Sequence, residues 1–166
     1  GREINSLAAT YREGKIYRQG VSLVIAGRTN VGKSSLLNRL LGEKRAIVAP
    51  TPGTTRDFIE ETVNILDIPV RLADTAGIRI TDDTVEQEGI AMVWQRLAAA
   101  DAVLLVFDGS EELTGEDRKL VAGLTGKALL PVVNKADLPG KLTAASLAEI
   151  LPDRPATWIS AKHGSG

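Results

Sequence analysis

The stretch "VSLVIAGRTNVGKSSLLNRLLG", residues 21–42, decides the fold. It opens with a continuous apolar run, 21–26, the mark of a strand buried on both faces. It closes with a helical pattern over 32–42, where Leu36, Leu37, Leu40 and Leu41 share a face before Gly42. Between them "GRTNVGKS" (27–34) fits G-x-x-x-x-G-K-S in the setting that gives the pattern physical meaning, a strand running into a helix. Gly27 and Gly32 let the backbone curl so that amide hydrogens converge on phosphate oxygens, and the helix N-terminus adds positive potential. Lys33 supplies a point charge for the outer phosphates, and the Ser34 hydroxyl suits Mg2+. Asn30, Val31 and Ser35 complete this candidate phosphate loop.

Outward from that loop, apolar runs and helical patterns alternate. Segment 58–66 alternates partly and reads as a strand with one exposed face at a sheet edge. Segment 68–74 follows after a tight turn, so the pair predicts a hairpin. A helix through about residue 98, a buried strand at 101–108 and a helix at 114–124 with Thr114 as cap come next. A strand running into a loop at 128–137, a helix at 142–151 and a short strand at 156–160 complete the order. Strands separated by helices imply a mostly parallel six-stranded α/β sheet with helices on both faces and one antiparallel edge strand. Ligands of such sheets bind outside the carboxyl ends of the strands. Five strand ends open into polar loops, near Ala26, Asp74, Asp108, Asn134 and Ser160. All but the loop after Asp108 carry a motif. Residues 1–19 read as a linker or helix tail ending near Gly14 or Gly20, and 20–166 as one nucleotide-binding domain.

Composition narrows the class. The 166 residues carry 43% hydrophobic and 25% charged side chains, ordinary for a globular domain. A net charge of −1 gives no global attraction to nucleic acid or membrane. The absence of cysteine excludes disulfides and thiolate sites within the chain and fits a reducing, cytoplasmic setting. No apolar run approaches the ~20 residues of a membrane span, so no membrane partner is expected.

The remaining strand-end motifs define a guanine nucleotide site. "DTAG" offers Asp74 to Mg2+ through a water, with Thr75, Ala76 and Gly77 placing backbone near a γ-phosphate. In "NKAD" (134–137) the Asp137 carboxylate can accept two hydrogen bonds from the guanine ring N–H and exocyclic amine, a pair that adenine lacks. Asn134 braces that loop, and the stem of Lys135 can lie along the base plane. In "SAK" (Ser160, Ala161, Lys162) the Ala161 amide can donate to the guanine carbonyl. One residue is conspicuous by its type. Ile78 stands just after Gly77, near where many GTPases place a water-positioning glutamine, and an isoleucine cannot orient a water. Glu86 lies further along in "VEQEG". Read by itself it belongs to an acidic run with Asp82, Asp83 and Glu88, the pattern of a solvated surface.

Together "GRTNVGKSSLLNRLLG", "PGTTRD", "DTAGIR", "VEQEGI" and "NKAD" resemble the G domain of the MnmE (TrmE) family of tRNA-modification GTPases, over about residues 7–164. "PGTTRD" and "NVGKS" are shared with EngA GTPases, while "TVEQEGI" is more specific. The resemblance implies a P-loop GTPase fold and a Mg2+- and K+-dependent GTP hydrolase. It implies K+ held by Asn30, Ala49, Thr51 and Thr54, and Mg2+ held by Ser34, Thr55 and, through water, Asp74. It transfers the water-orienting role to Glu86, with Glu88 as the neighbouring alternative. It implies binding of GTP and GDP and a homodimer formed across the switch segments. In the whole enzyme it implies a flavin-containing partner and tRNA. It also implies a last helix beyond "HGSG". The rival readings are a ribosome-assembly GTPase of the EngA or Era type and, on the strength of Ile78, a nucleotide-gated interaction module with little hydrolysis. Beside these motifs, His163 reads as an exposed lone histidine, Arg28 as a surface arginine flanking the phosphate loop, and Trp94 as packing.

Overall fold

A strand that is apolar but for one serine, Ser22, suits the centre of a sheet, and β1 (Val21–Ala26) lies there. In this computed structural model, residues 16, 20–43, 60–74 and 93–166 are described. Around β1 run α1 (Lys33–Glu43), β2 (Glu60–Ile65), β3 (Ile68–Asp74), the helical segment 93–99 (α2) and β4 (Ala102–Asp108). They are followed by α3 (Gly115–Gly123), β5 (Leu129–Asn134), α4 (Ala144–Ile150) and β6 (Thr157–Trp158). The six strands lie in the order β2-β3-β1-β4-β5-β6. Every pairing is parallel except β2 with β3, the expected antiparallel edge hairpin.

Strand alternation divides the core between the two faces. Leu23 and Ile25 of β1 join Leu36 and Leu37 of α1, Leu72 and Val132 in one cluster. Val24 and Ala26 join Leu97 of α2, Phe107, Leu120 of α3 and Leu147 of α4 in the other. Helices therefore cover both faces, as the sequence predicts. Phe107 is fully buried, and that burial contributes roughly 1.5–3 kcal/mol. Trp94 is a packing residue, as read from the sequence. A Cβ added at Gly123 of α3 would stand 2.3 Å from its ring, so the missing side chain gives the indole its place.

Several local signals hold. Thr114 caps α3 in a reciprocal capping box with Asp117, and Thr143 caps α4 in another with Ser146. Gly20, at φ 72, donates its N–H to the carbonyl of Ile16 and leads into β1. The hairpin turns through Leu66 and Asp67, both at positive φ, which matches the right-handed strand twist.

The strand order also places the site. β1 has β3 on one side and β4 on the other, so the exit loops of β1 and β4 lead to opposite faces and open a crevice between them. The exits of β4, β5 and β6 continue it as a row.

Candidate functional site

The phosphate-loop half begins at the exit of β1. Gly27 passes so close to β4 that a Cβ would stand 2.4 Å from the Val106 carbonyl oxygen. Val31 plugs the loop into the core at 0% exposure, with Asn30 before it at φ 63. Gly32 has φ 96, and a Cβ there would meet Asn134 Nδ2 at 2.2 Å. Only glycine satisfies both limits. Lys33 opens α1 and is buried. Its Nζ donates to the carbonyls of Gly27 at 2.8 Å and Arg28 at 2.7 Å, which curls the loop around the ammonium. Ser34 and Ser35 lie exposed in the first turn of α1, where the helix dipole favours an anion.

Arg28 is not a free surface arginine. Its side chain is 17% exposed and reaches the loop after β4, with NH2 on Glu111 and Nε 3.3 Å from Asp117 Oδ2. The Nε contact is an ion pair without hydrogen-bond alignment. Burial opposes the guanidinium charge. The Glu111 hydrogen bond and the Asp117, Glu111 and Asp108 carboxylates outweigh it, raising the arginine pKa.

The base-loop half is built by side chains that reach across elements. Asn134, buried at the end of β5, donates Nδ2 to the Val31 carbonyl at 2.9 Å and accepts the Ala161 amide on Oδ1 at 2.9 Å. One amide thus joins the phosphate loop, the base loop and the loop after β6. Lys135 follows at φ 64, and the Ala136 N–H donates to the Ile159 carbonyl. Asp137 faces outward. The Ser160 hydroxyl hydrogen-bonds it and, despite some desolvation, holds its carboxyl below the usual range. Ser160 is itself buried and anchors the turn that follows, accepting the N–H groups of His163 and Gly164 on its carbonyl. That turn brings His163 Nε2 to 3.6 Å from Asp137 Oδ2, so the lone histidine borders the candidate base reader. Lys162 is exposed beside it.

The structure therefore brings Gly27, Asn30, Val31, Gly32, Lys33, Ser34 and Ser35 together with Asn134, Lys135, Asp137, Ser160, Ala161 and Lys162 along one edge of the sheet. Asp74 ends β3, with its backbone in register with Ile25 of β1, so Asp74 and the phosphate loop leave adjacent strands. At the phosphate-loop exit the exposed Ser34 hydroxyl is a hard oxygen donor of the kind that fits Mg2+. Ala49, Thr51, Thr54, Thr55, Thr75, Ala76, Gly77 and Glu86, with Ile78, lie outside the described residues.

Residues that the motif reading passed over belong to the loop after β4. Asp108 is 5% exposed, accepts Ser110 N–H at 2.9 Å and Ser110 Oγ at 2.6 Å on Oδ1, and takes Lys135 Nζ on Oδ2 at 2.5 Å. Burial alone would raise its pKa, but the Lys135 and Ser110 hydrogen bonds lower it below the ordinary aspartate value. The available signal was positional. Asp108 ends a buried strand in the row whose other loops all hold motifs.

A buried lysine curled into a glycine loop between a strand and a helix, with the Asn134 amide bonded to that loop, is the arrangement of a nucleotide-binding domain of the GTPase class. Residues 22–135 match the model of the 50S ribosome-binding GTPase family, and the chain belongs to that family of GTP-hydrolysing domains. The chain is 56% identical to the tRNA modification GTPase MnmE of Syntrophus aciditrophicus over 164 residues, covering 99% of this chain and 36% of that protein. It is 50% identical to the MnmE of Geobacter sulfurreducens over 163 residues, covering 98% and 35%. Among solved structures, Era of Aquifex aeolicus bound to GDP.AlF4- superposes with a TM-score of 0.67 at 30% identity, covering 87% of this chain and 52% of that one. The resemblance to the MnmE G domain thus holds along nearly the whole chain, which spans about a third of the length of these MnmE relatives.

Proposed function

We propose that the chain is the GTP-hydrolysing domain of a tRNA wobble-uridine modification enzyme, stimulated by K+ and pairing with a second copy across its switch segments in the GTP state. In the whole enzyme it works with a flavin-containing partner on tRNA in the cytoplasm. Among the described residues no helix is long and apolar enough to cross a membrane. The observation that carries the nucleotide reading is Asn134, whose two buried hydrogen bonds hold the phosphate loop and the base loop in one site. The identity of 56% to a tRNA modification GTPase, against 30% to Era, favours the tRNA enzyme over a ribosome-assembly GTPase.

In this reading Lys33 and the loop amides hold the phosphates, and Asp137 and the Ala161 amide read guanine. Ser34, Thr55 and Asp74 hold Mg2+, which neutralises charge on the phosphates. Asn30, Ala49, Thr51 and Thr54 would hold K+, which would supply positive charge against the negative charge that builds in the transition state, as an arginine does in other GTPases. Arg28 does not supply that charge, because two acidic side chains already engage it. Glu86 orients the attacking water, the role Ile78 cannot fill.

The test is GTP turnover in KCl and in NaCl, for the parent and for Glu86→Ala. Faster turnover in K+, and a large loss in the variant with nucleotide affinity kept, is expected. Equal rates in the two salts sink the potassium assignment, and a fully active variant sinks Glu86. Asp137→Asn should weaken GTP and improve xanthosine triphosphate, whose C2 oxygen accepts where guanine donates. Unchanged GTP affinity removes Asp137 as base reader.

A further inference from the structure

The loop after β4 holds the one strand end in the row without a recognised motif, yet its first residue is tied into the base loop. Asp108 stands beside Asn134 in the β4–β5 register. Its Oδ1 is filled from within its own loop by Ser110, and its Oδ2 by the ammonium of Lys135. The loop is secured on both sides of the base loop. Gly109 donates its N–H to the Asn134 carbonyl at 2.8 Å and accepts Lys141 N–H at 2.9 Å and Leu142 N–H at 3.2 Å. Lys135 leaves the chain at φ 64 with a side chain 31% exposed, while the Asp108 side chain is 3% exposed. The lysine stem is thus fixed at its Cα by the loop and at its Nζ by a buried carboxylate.

We propose that Asp108 is a positioning residue of the guanine site, holding the Lys135 ammonium so that its stem forms a ready-made platform along the plane of the base. A free lysine stem loses considerable rotamer freedom when a ligand packs on it. Here that ordering occurs on folding, so nucleotide binding does not bear it. Asp108 acts only through Lys135. The inference rests on the reading of Lys135 as a base-facing residue.

The dissociation rate of fluorescently labelled GDP is measured for the parent, Asp108→Asn, Lys135→Met and the double variant, and repeated with the inosine nucleotide. Asp108→Asn keeps the acceptor for Ser110 and removes the charge that holds Lys135. It should speed GDP loss about 10-fold, the scale of one charge-assisted hydrogen bond. In the Lys135→Met background it should add nothing. The acceleration should be the same for GDP and the inosine nucleotide, because the platform meets the ring face and not the exocyclic amine. Equal acceleration by Asp108→Asn in both backgrounds overturns the proposal, since a merely structural aspartate acts without Lys135. If Asp108→Asn does not fold, Asp108→Glu carries the comparison. It keeps the charge one methylene out of place, and its smaller acceleration must likewise vanish with Lys135→Met. If Lys135→Met speeds GDP loss and Asp108→Asn does not, this inference fails alone. If Lys135→Met changes nothing, the base-facing reading fails with it.

Discussion

The two halves of the site are held by different means. The phosphate loop is shaped mainly by its own backbone, with Gly32 and Asn30 at positive φ and Lys33 bonded to carbonyls five and six residues before it. The base half is shaped by side chains that bond to distant parts of the chain. Asn134 reaches Val31 across 103 residues and Ala161 across 27, and Lys135 reaches Asp108 across 27. A local loop can be read as a string of letters. A cross-linked one becomes visible only after the strands are ordered. The halves meet at Asn134, which makes that residue the place to test how far they depend on each other.

The largest effect is expected at Asn134→Ala. It strips a partner from the Val31 carbonyl and the Ala161 amide, and each orphaned buried group costs roughly 1–3 kcal/mol. Urea denaturation should register a loss of about 2–6 kcal/mol, with guanine nucleotide affinity falling too. A loss under about 1 kcal/mol means the halves stand independently. Next comes Gly32→Ala, where positive φ and the 2.2 Å approach to Asn134 Nδ2 act together. Strain of this kind costs on the order of 1–3 kcal/mol. Part of it is collision with Asn134, so the penalty should shrink in the Asn134→Ala background. An undiminished penalty assigns the whole effect to the phosphate loop's own backbone.

Acid should weaken the base half through Asp108. Its carboxyl is lowered in the folded chain, so its contribution is present above the ordinary aspartate pKa of about 3.9 and is lost as pH falls through the lower folded value. Asp108→Asn should therefore be less stable than the parent near pH 7, and the gap should close as the pH drops below about 4. A gap independent of pH would mean that the charge is not what Asp108 contributes. The smallest effect lies outside both halves. Leu66 is 85% exposed at the hairpin turn with φ 50, a conformation that asparagine tolerates better than leucine. Leu66→Asn should raise stability by about 0.5–1 kcal/mol with nucleotide affinity unchanged. A change in affinity would extend the site further than the strand exits.

Much of the architecture was legible because its signals are local. The apolar run of β1, the Thr114 cap and the edge alternation of β2 each reflect which faces a segment can bury or which N–H groups need a partner. The phosphate loop was legible for the same reason, since glycines and a lysine at fixed spacing describe a backbone shape. His163, Arg28 and Asp108 were not. His163 read as an exposed histidine and is one, but that reading did not place it beside Asp137, and Arg28 read as surface and is engaged by Glu111 and Asp117. Asp108 read as the end of a strand and holds Lys135. No spacing rule could pair them, because each partner lies on another element of the fold.

The sequence by itself determined the class of chemistry: a strand–glycine loop–helix unit for phosphates and a carboxylate suited to guanine. The tertiary structure decided which side chains make that chemistry one site. By setting β4 between β1 and β5, it put the exits of all three strands within reach of Asn134, Asp108 and Arg28. The physical reason is that backbone conformation is dictated by neighbouring residues. Hydrogen bonds and ion pairs between loops depend on strand order and register, which come from burying both faces of the whole sheet.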